Sequence, residues 1–520
     1  MTWNRRVLWG LAATLALLAA APSIAETGQA SVLAAIVRDE EPVVLSGASF
    51  PALAGQPITS MVVMRWNGTS LHYEPIPFQI DERIAKTFDA APSGTFVETI
   101  HDVAGEDDGL FDADDEIVVR FGDGGAQAPL DSWPPAADEE RFEIVVNDPR
   151  PDAPVPQRRF YVFTGNDLPT SGLAYVSWNG AANTTVSTAS QRIVFVDRWL
   201  ATGYAVEAPC GAGVDLIDRF KGRAGRNLDN ESEQEWNASS EYMGGYSGPI
   251  RAIRYVRGAA SAINTIHYDV MYRERWDRNV MLRVHPIPAI AIYFDLLPIG
   301  NARLFTPAFP AGLSVDGVPE SGGITFQPWS LVRTPLGGFV VLYDAPPSPF
   351  YGSKRNFYRD DTSYDDALTA FYDDEDNSAY GAQGFEMRDL IGDPLDRIDL
   401  GFRMYPLCAG TGDADTGAAY QALKDQPLAN VVTPQLRAIA PIRSLRLRRV
   451  GADVLLDWDP VPGATSYLVL AASSASEPRE FWTQLDEVPT PNWIDSGAGL
   501  SETPRQYSIL GVTPAGTTPW

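Results

Sequence analysis

Eight acidic residues, Asp102, Glu106, Asp107, Asp108, Asp112, Asp114, Asp115 and Glu116, fall within positions 102–116. Confined to one turn, these carboxylates repel one another unless water, salt or a bound hard cation relieves them. A Ca²⁺ ion takes about six to eight oxygens around one point, and Gly109 supplies the bend such a loop needs. The expected ligands are Asp102, Asp107, Asp108, Asp112, Asp114, Asp115 and Glu116, holding a structural ion; the alternative is a solvated acidic loop. The spacing is not that of an EF-hand, because placing Gly109 at the motif's glycine puts Ala104 where the first aspartate belongs.

Two further constellations bear on chemistry. Asp360, Asp361, Asp365, Asp366, Asp373, Asp374, Glu375 and Asp376 are interleaved with Tyr358, Tyr364, Phe371 and Tyr372. This pattern suits either a sugar cradle or an amphipathic helix with a solvated acidic side. The middle of the chain carries a basic–aromatic band running from Arg219, Lys221, Arg223 and Arg226 through Arg251, Arg254 and Arg257 to His267, Tyr268, Tyr272, Arg273, Arg275, Trp276 and Arg278. Such a band either binds an anionic glycan or pairs internally with Asp218, Asp229, Glu274 and Asp277. For a polysaccharide lyase, His267 or Tyr268 would be the base and Arg273 the group that neutralises a uronate carboxylate. No nucleophile elbow, His-Glu-x-x-His helix, phosphate loop or dinucleotide fingerprint occurs, and a glycosidase carboxylate pair is invisible at this level.

The elements that must position these groups are mostly strands. Val43 to Leu45, Ser60 to Trp66, Phe142 to Val146, Phe160 to Phe163, Ala174 to Trp178 and Gln191 to Val196 are short, β-branched or aromatic, and bounded by turn-formers. The 44 Gly and 41 Pro are dispersed as punctuation. Two segments, Ser363 to Tyr372 and Ala414 to Asp425, have helical length and composition. The expected fold is mainly β, built of antiparallel β-sandwich domains with few short helices. Pro149, Pro151, Pro154 and Pro156 bar a central strand from Asn147 to Gln157.

The net charge of −27 disfavours nucleic acid and anionic lipid as partners, while 45% hydrophobic residues suffice for large cores. Arg5 and Arg6, the apolar run Val7 to Ala21 and the small residues Ser23-Ile24-Ala25 form an export signal with cleavage expected after Ala25, and no permanent membrane span is expected. In an oxidising compartment the two cysteines, Cys210 and Cys408, are expected to form a disulfide, the alternative being two buried thiols. The expected organisation is a signal at 1–25, an N-terminal β domain at 26–155, a large central sandwich at 156–435 and a last domain at 436–520.

That last domain resembles a fibronectin type III module. Val454-Leu455-Leu456-Asp457-Trp458 matches strand B with its core tryptophan, Asp459-Pro460-Val461-Pro462-Gly463-Ala464 the following turn, and Tyr507 the tyrosine-corner position. The resemblance implies a spacer or docking unit; the sequence departs from the family pattern at the end, where Gly516 to Trp520 leaves little chain for the last strand. Ile76-Pro77-Phe78-Gln79-Ile80-Asp81-Glu82, with the acidic turn, resembles domains of uncharacterised secreted bacterial proteins. Gly248-Pro249-Ile250-Arg251-Ala252-Ile253-Arg254 is similar to a strand of polysaccharide-lyase and mutarotase-like sandwiches. The functional expectation is an exported binding or structural protein with a glycan as ligand or a cell-surface partner. The alternatives are a carbohydrate-active enzyme and a surface-assembly protein.

Overall fold

A computed structural model of the chain describes residues 36, 38–89, 94–195, 198–224, 240–258, 265–283, 288–320, 325–363, 379–392, 395–437, 442, 444–461, 463–474, 477–478, 481–500, 505–513 and 516–518. The expected signal at 1–25 and nearly all of the expected helix Ser363 to Tyr372 lie outside them. Among the described residues the fold is mostly β, 54% strand and 7% helical, in multiple antiparallel sheets. Alternation of buried and exposed residues, as in Pro42–Ser46 and Gln191–Phe195, explains why these segments form strands with one face in a core.

The N-terminal sandwich packs Pro42–Ser46, Glu116–Arg120 and Gln79–Asp81 against a five-stranded sheet. In that sheet the order is Ala429–Leu436, Glu140–Asn147, Gln157–Thr164, Met61–Asn67 and His72–Pro75. Phe50, Phe111, Phe142, Ile144, Phe160 and Ile117 fill the space between. The proline-rich segment is therefore the connection between two paired strands, Glu140–Asn147 and Gln157–Thr164, and the sheet continues past residue 155. Ala429–Leu436, which follows the central strands in the chain, pairs with Glu140–Asn147, from Ala429↔Asn147 to Leu436↔Glu140. Sheet membership thus divides the chain differently from the expected boundaries at 155 and 435.

The central sandwich is built on a nine-stranded sheet. Its order is Glu241–Ser247, Arg251–Arg257, Ile266–Tyr272, Arg275–Arg283, Arg397–Leu407, Gly337–Asp344, Trp329–Thr334, Ala302–Thr306 and Phe309–Val315. One face buries Val256, Met271, Trp276, Val280, Phe339 and Met404 against Ile292, Phe294, Phe385 and Met387 of a four-stranded sheet. The opposite, outer face is covered at one end by the hairpin Arg83–Asp89/Thr95–His101, whose Phe88, Phe96 and Ile100 pack on Tyr255, Ile266 and Met281. At the other end lies the helix Ala414–Asp425, with the expected bounds and a reciprocal Asp413–Thr416 cap. Its Tyr420 ring packs 4.9 Å from Tyr405, and its Lys424 reaches the Tyr343 carbonyl at 3.1 Å.

Cys210 and Cys408 lie at bonding distance, with sulfurs 1.93 Å apart, and tie the turn after Ala201–Val206 to the end of Arg397–Leu407. The last domain forms a three-stranded and a four-stranded sheet around Leu456, Trp458, Tyr467, Val469 and Ile509. Its final strand is only Gly516–Thr517. The Tyr507 hydroxyl donates to the Asp495 carboxylate at 2.7 Å, and Arg505 binds the same carboxylate at 2.6 Å.

Candidate functional site

The acidic run resolves its repulsion locally, through backbone donors. Asp102 accepts from the N–H groups of Ala104 (3.2 Å) and Asp107 (2.9 Å), Asp107 from Asp108 (2.8 Å), and Asp108 from Leu110 (2.9 Å). Asp112 accepts from Asp114 at 3.2 Å, while Asp115 accepts from Arg83 at 3.0 Å and from Asp112 at 2.9 Å. The expected seven ligands do not converge. Among the described residues only Asp107 and Asp108 gather, joined by Glu82, with ligand oxygens within 4.8 Å of one another. Gly109 makes the bend, at φ +76°. Glu82 precedes the hairpin and is brought in by the Asp81↔Glu116 register, which nothing local in the sequence announces.

Asp115 is fully buried, and burial, reinforced by Asp112 and Asp107, pushes its carboxyl up to about 6 against the pull of its N–H donors. A carboxyl raised on folding favours the folded state while protonated and loses that contribution as pH rises through the folded value. Tm is therefore expected to rise between about pH 7 and about pH 5, before ordinary acid losses begin, and Asp115→Asn should flatten that rise in a thermal melt series.

Glu116 belongs to a buried joint between the two sandwiches. Arg251 binds Asp81 (2.8 Å), Glu116 and the Tyr272 hydroxyl (3.0 Å). Tyr246 donates to Asp81 at 2.7 Å, and Gln79 accepts from the Ile250 and Arg251 N–H groups. Burial alone would raise the Glu116 carboxyl. The His101 hydrogen bond and the Arg251 charge overcome it and hold the group well below the usual carboxylate range.

The basic–aromatic band divides into similar private pairs. Lys221 meets Asp295 at 2.6 Å, Arg275 meets Asp277 at 2.7 Å, and Arg254 and Arg278 flank Asp269 at 3.8 and 3.7 Å. The side chains of Arg219, Arg223 and Arg226 are outside the described set. His267, Tyr268 and Arg273 do not form one site. His267 points into the core, where its Nδ1 accepts from Trp199 at 2.9 Å; burial and then Arg278 and Arg254 keep it neutral. Tyr268 faces the opposite side of the same strand, and Arg273 lies in the turn beyond it, 3.5 Å from Glu40. The period of two along a strand separates neighbours that the sequence places side by side.

Tyr268 instead opens onto the outer face. The ladders align Tyr255, Tyr268, Asn279, Gly401 and Asp344 in one row across five strands, with Met281 and Asp399 paired in the next row. A cavity of about 300 Å³ lies here, lined by Tyr268, Asn279, Met281, Asp344, Arg397 and Asp399 among others. Gly401 is obligatory: a Cβ would stand 2.1 Å from the Arg278 carbonyl oxygen, and its absence leaves the row open between Asn279 and Asp344. Tyr255 stacks behind the Tyr268 ring at 5.1 Å and 10°. Glu98 holds Arg397 from the hairpin side, Asp399 accepts from Arg397 at 2.6 Å, and Lys424 stands 3.3 Å from Asp344. Burial, with Asp277 and Asp399 adding, pushes the Tyr268 phenol up to about 12, so it stays a hydrogen-bonding hydroxyl at neutral pH. Of this groove the sequence singled out Tyr268 alone. Asn279, Asp344, Arg397 and Asp399 become neighbours only through strand register.

Comparison with family models gives no match, nor does comparison with curated proteins. Among solved structures, the copper-containing benzylamine oxidase from Hansenula polymorpha is similar at 8% identity, over 68% of this chain and 80% of that one. Its TM-score of 0.24 is too low for the likeness to carry an argument. No helix among the described residues is long and apolar enough to cross a membrane.

Proposed function

We propose that this chain is an exported, modular β protein that binds a glycan in the outer-face groove of its nine-stranded sheet. The observation that carries the reading is the row Tyr268–Asn279–Gly401–Asp344 with Asp399 and Arg397 beside it. An aromatic ring bordered by planar amide, carboxylate and guanidinium groups offers a pyranose a packing surface together with donors and acceptors for its hydroxyls. The ion pairs around the groove fix those groups in place before a ligand arrives, which limits the ordering entropy lost on binding. The last domain, with its fibronectin type III likeness, serves in this reading as the spacer or docking unit. Calorimetric titration with neutral oligosaccharides tests the assignment. Tyr268→Ala and Asn279→Ala should each weaken binding about tenfold or more under conditions where circular dichroism shows both variants folded; full-strength binding by both variants would refute the groove.

Glu82, Asp107 and Asp108 are the oxygens that would hold a structural Ca²⁺, closing the loop 102–116 against the hairpin. Added Ca²⁺ should then raise Tm relative to chelator, and Glu82→Gln should abolish the difference. Equal melting points with and without the ion would remove calcium from the account.

A further inference from the structure

A second, larger cavity lies on the N-terminal sandwich at the His72–Pro75 edge of the five-stranded sheet. It encloses about 580 Å³, within the usual range for small-molecule sites. Trp66, Tyr73 and Trp133 form its aromatic part, with Leu71, Asp131 and Asp167 also lining it.

The rings are held in place. Tyr73 packs edge-on against Trp66 at 5.0 Å and Phe163 at 5.0 Å. Trp133 donates its indole N–H to the Leu130 carbonyl at 2.9 Å, and the buried Arg141 guanidinium lies 4.7 Å from its ring. Arg141 also donates to the Ser132 carbonyl at 2.7 Å and to the Tyr73 hydroxyl, locking loop and edge strand together.

Backbone strain is concentrated on the same cavity. Among the described residues four non-glycine positions have positive φ, and two of them, Leu71 (φ 56°) and Asp167 (φ 64°), line it. A leucine is unfavourable in that conformation, where glycine or asparagine serves a turn without penalty. Leu71 is also 68% exposed, so burial does not offset the strain. What the leucine adds is an apolar side chain at the mouth of an aromatic cavity.

We infer that this cavity is a second ligand site, taking a neutral or amino-substituted pyranose whose apolar face packs on Trp133, Tyr73 and Leu71. The exposed carboxylates of Asp131 and Asp167 accept the ring's hydroxyl or ammonium hydrogens and repel uronates. This site is separate from the outer-face groove and does not depend on it: its lining residues come from other strands and another sandwich.

The test is tryptophan-fluorescence titration of the whole protein with glucose, mannose, N-acetylglucosamine, glucosamine and glucuronate, in the wild type and in Trp133→Ala, Leu71→Gly and Tyr268→Ala. At least one of the first four sugars should bind and glucuronate should not. Loss of about tenfold in affinity is expected on removing Trp133 or Leu71, from lost ring and apolar contact. Leu71→Gly relieves the positive φ, so its Tm should be equal or higher while binding falls, which a purely structural leucine would not produce. In the Tyr268→Ala background, where the other groove is disabled, the losses caused by removing Trp133 or Leu71 should persist. No response to any sugar, preferential binding of glucuronate, or undiminished affinity in Leu71→Gly would each overturn the inference, whatever the outcome at the other groove.

Discussion

Arg251→Met should lower the unfolding free energy by about 3 to 5 kcal/mol, the loss typical of breaking a buried ion pair from one side. Arg251 is 3% exposed and Asp81 1%, and Glu116 reaches the same guanidinium. Methionine fills a similar volume, so the loss reports the buried Asp81 carboxylate left without its cation, and Glu116 left to Arg83 and His101, rather than a cavity. Folding would then favour protonation of Asp81, and the variant should regain stability as pH falls. The triple replacement Arg251→Met, Asp81→Asn, Glu116→Gln should recover much of the loss, because it removes the uncompensated charges together. Urea denaturation of the single and triple variants decides this. A loss below about 1 kcal/mol in the single variant would mean that water reaches the joint and the sandwiches are not coupled through it.

Removing the disulfide should have an effect of similar size. Cys210 and Cys408 are separated by 198 positions, and the chain between them supplies most of the central core. In the chain-entropy treatment, closing so long a loop stabilises the folded state by up to about 5 kcal/mol, chiefly by restricting the unfolded chain. Cys210→Ser/Cys408→Ser should therefore unfold at markedly lower urea, with a steeper dependence on denaturant because its unfolded state is more expanded. An unchanged midpoint would place the bond outside the cooperative unit.

Much of this architecture is legible in the sequence. Strands announce themselves through alternation and turn-formers, and Ala414–Asp425 through its length and Ala/Leu content, since such signals are local. The proline-rich segment was readable as a break but not as a hairpin connection, because pairing of Glu140–Asn147 with Gln157–Thr164 is a tertiary fact. The same holds for Ala429–Leu436, which returns to the first sandwich. The acidic run shows the limit most clearly. Composition measures repulsion, but the relief comes from N–H groups of the loop's own backbone and from Arg83 and Arg251, which composition does not display. Glu82 and Asp399 carry no local signal for one reason: each stands beside its partners only once register is set.

The proposal that the outer-face row around Gly401 holds a sugar is tested most directly by a crystal structure of the protein soaked with a neutral oligosaccharide that it retains in solution. The expected density is a pyranose over Tyr268, with hydroxyls within hydrogen-bond reach of Asn279, Asp344 or Asp399. A retained oligosaccharide bound anywhere else, with that groove filled only by water, would contradict it.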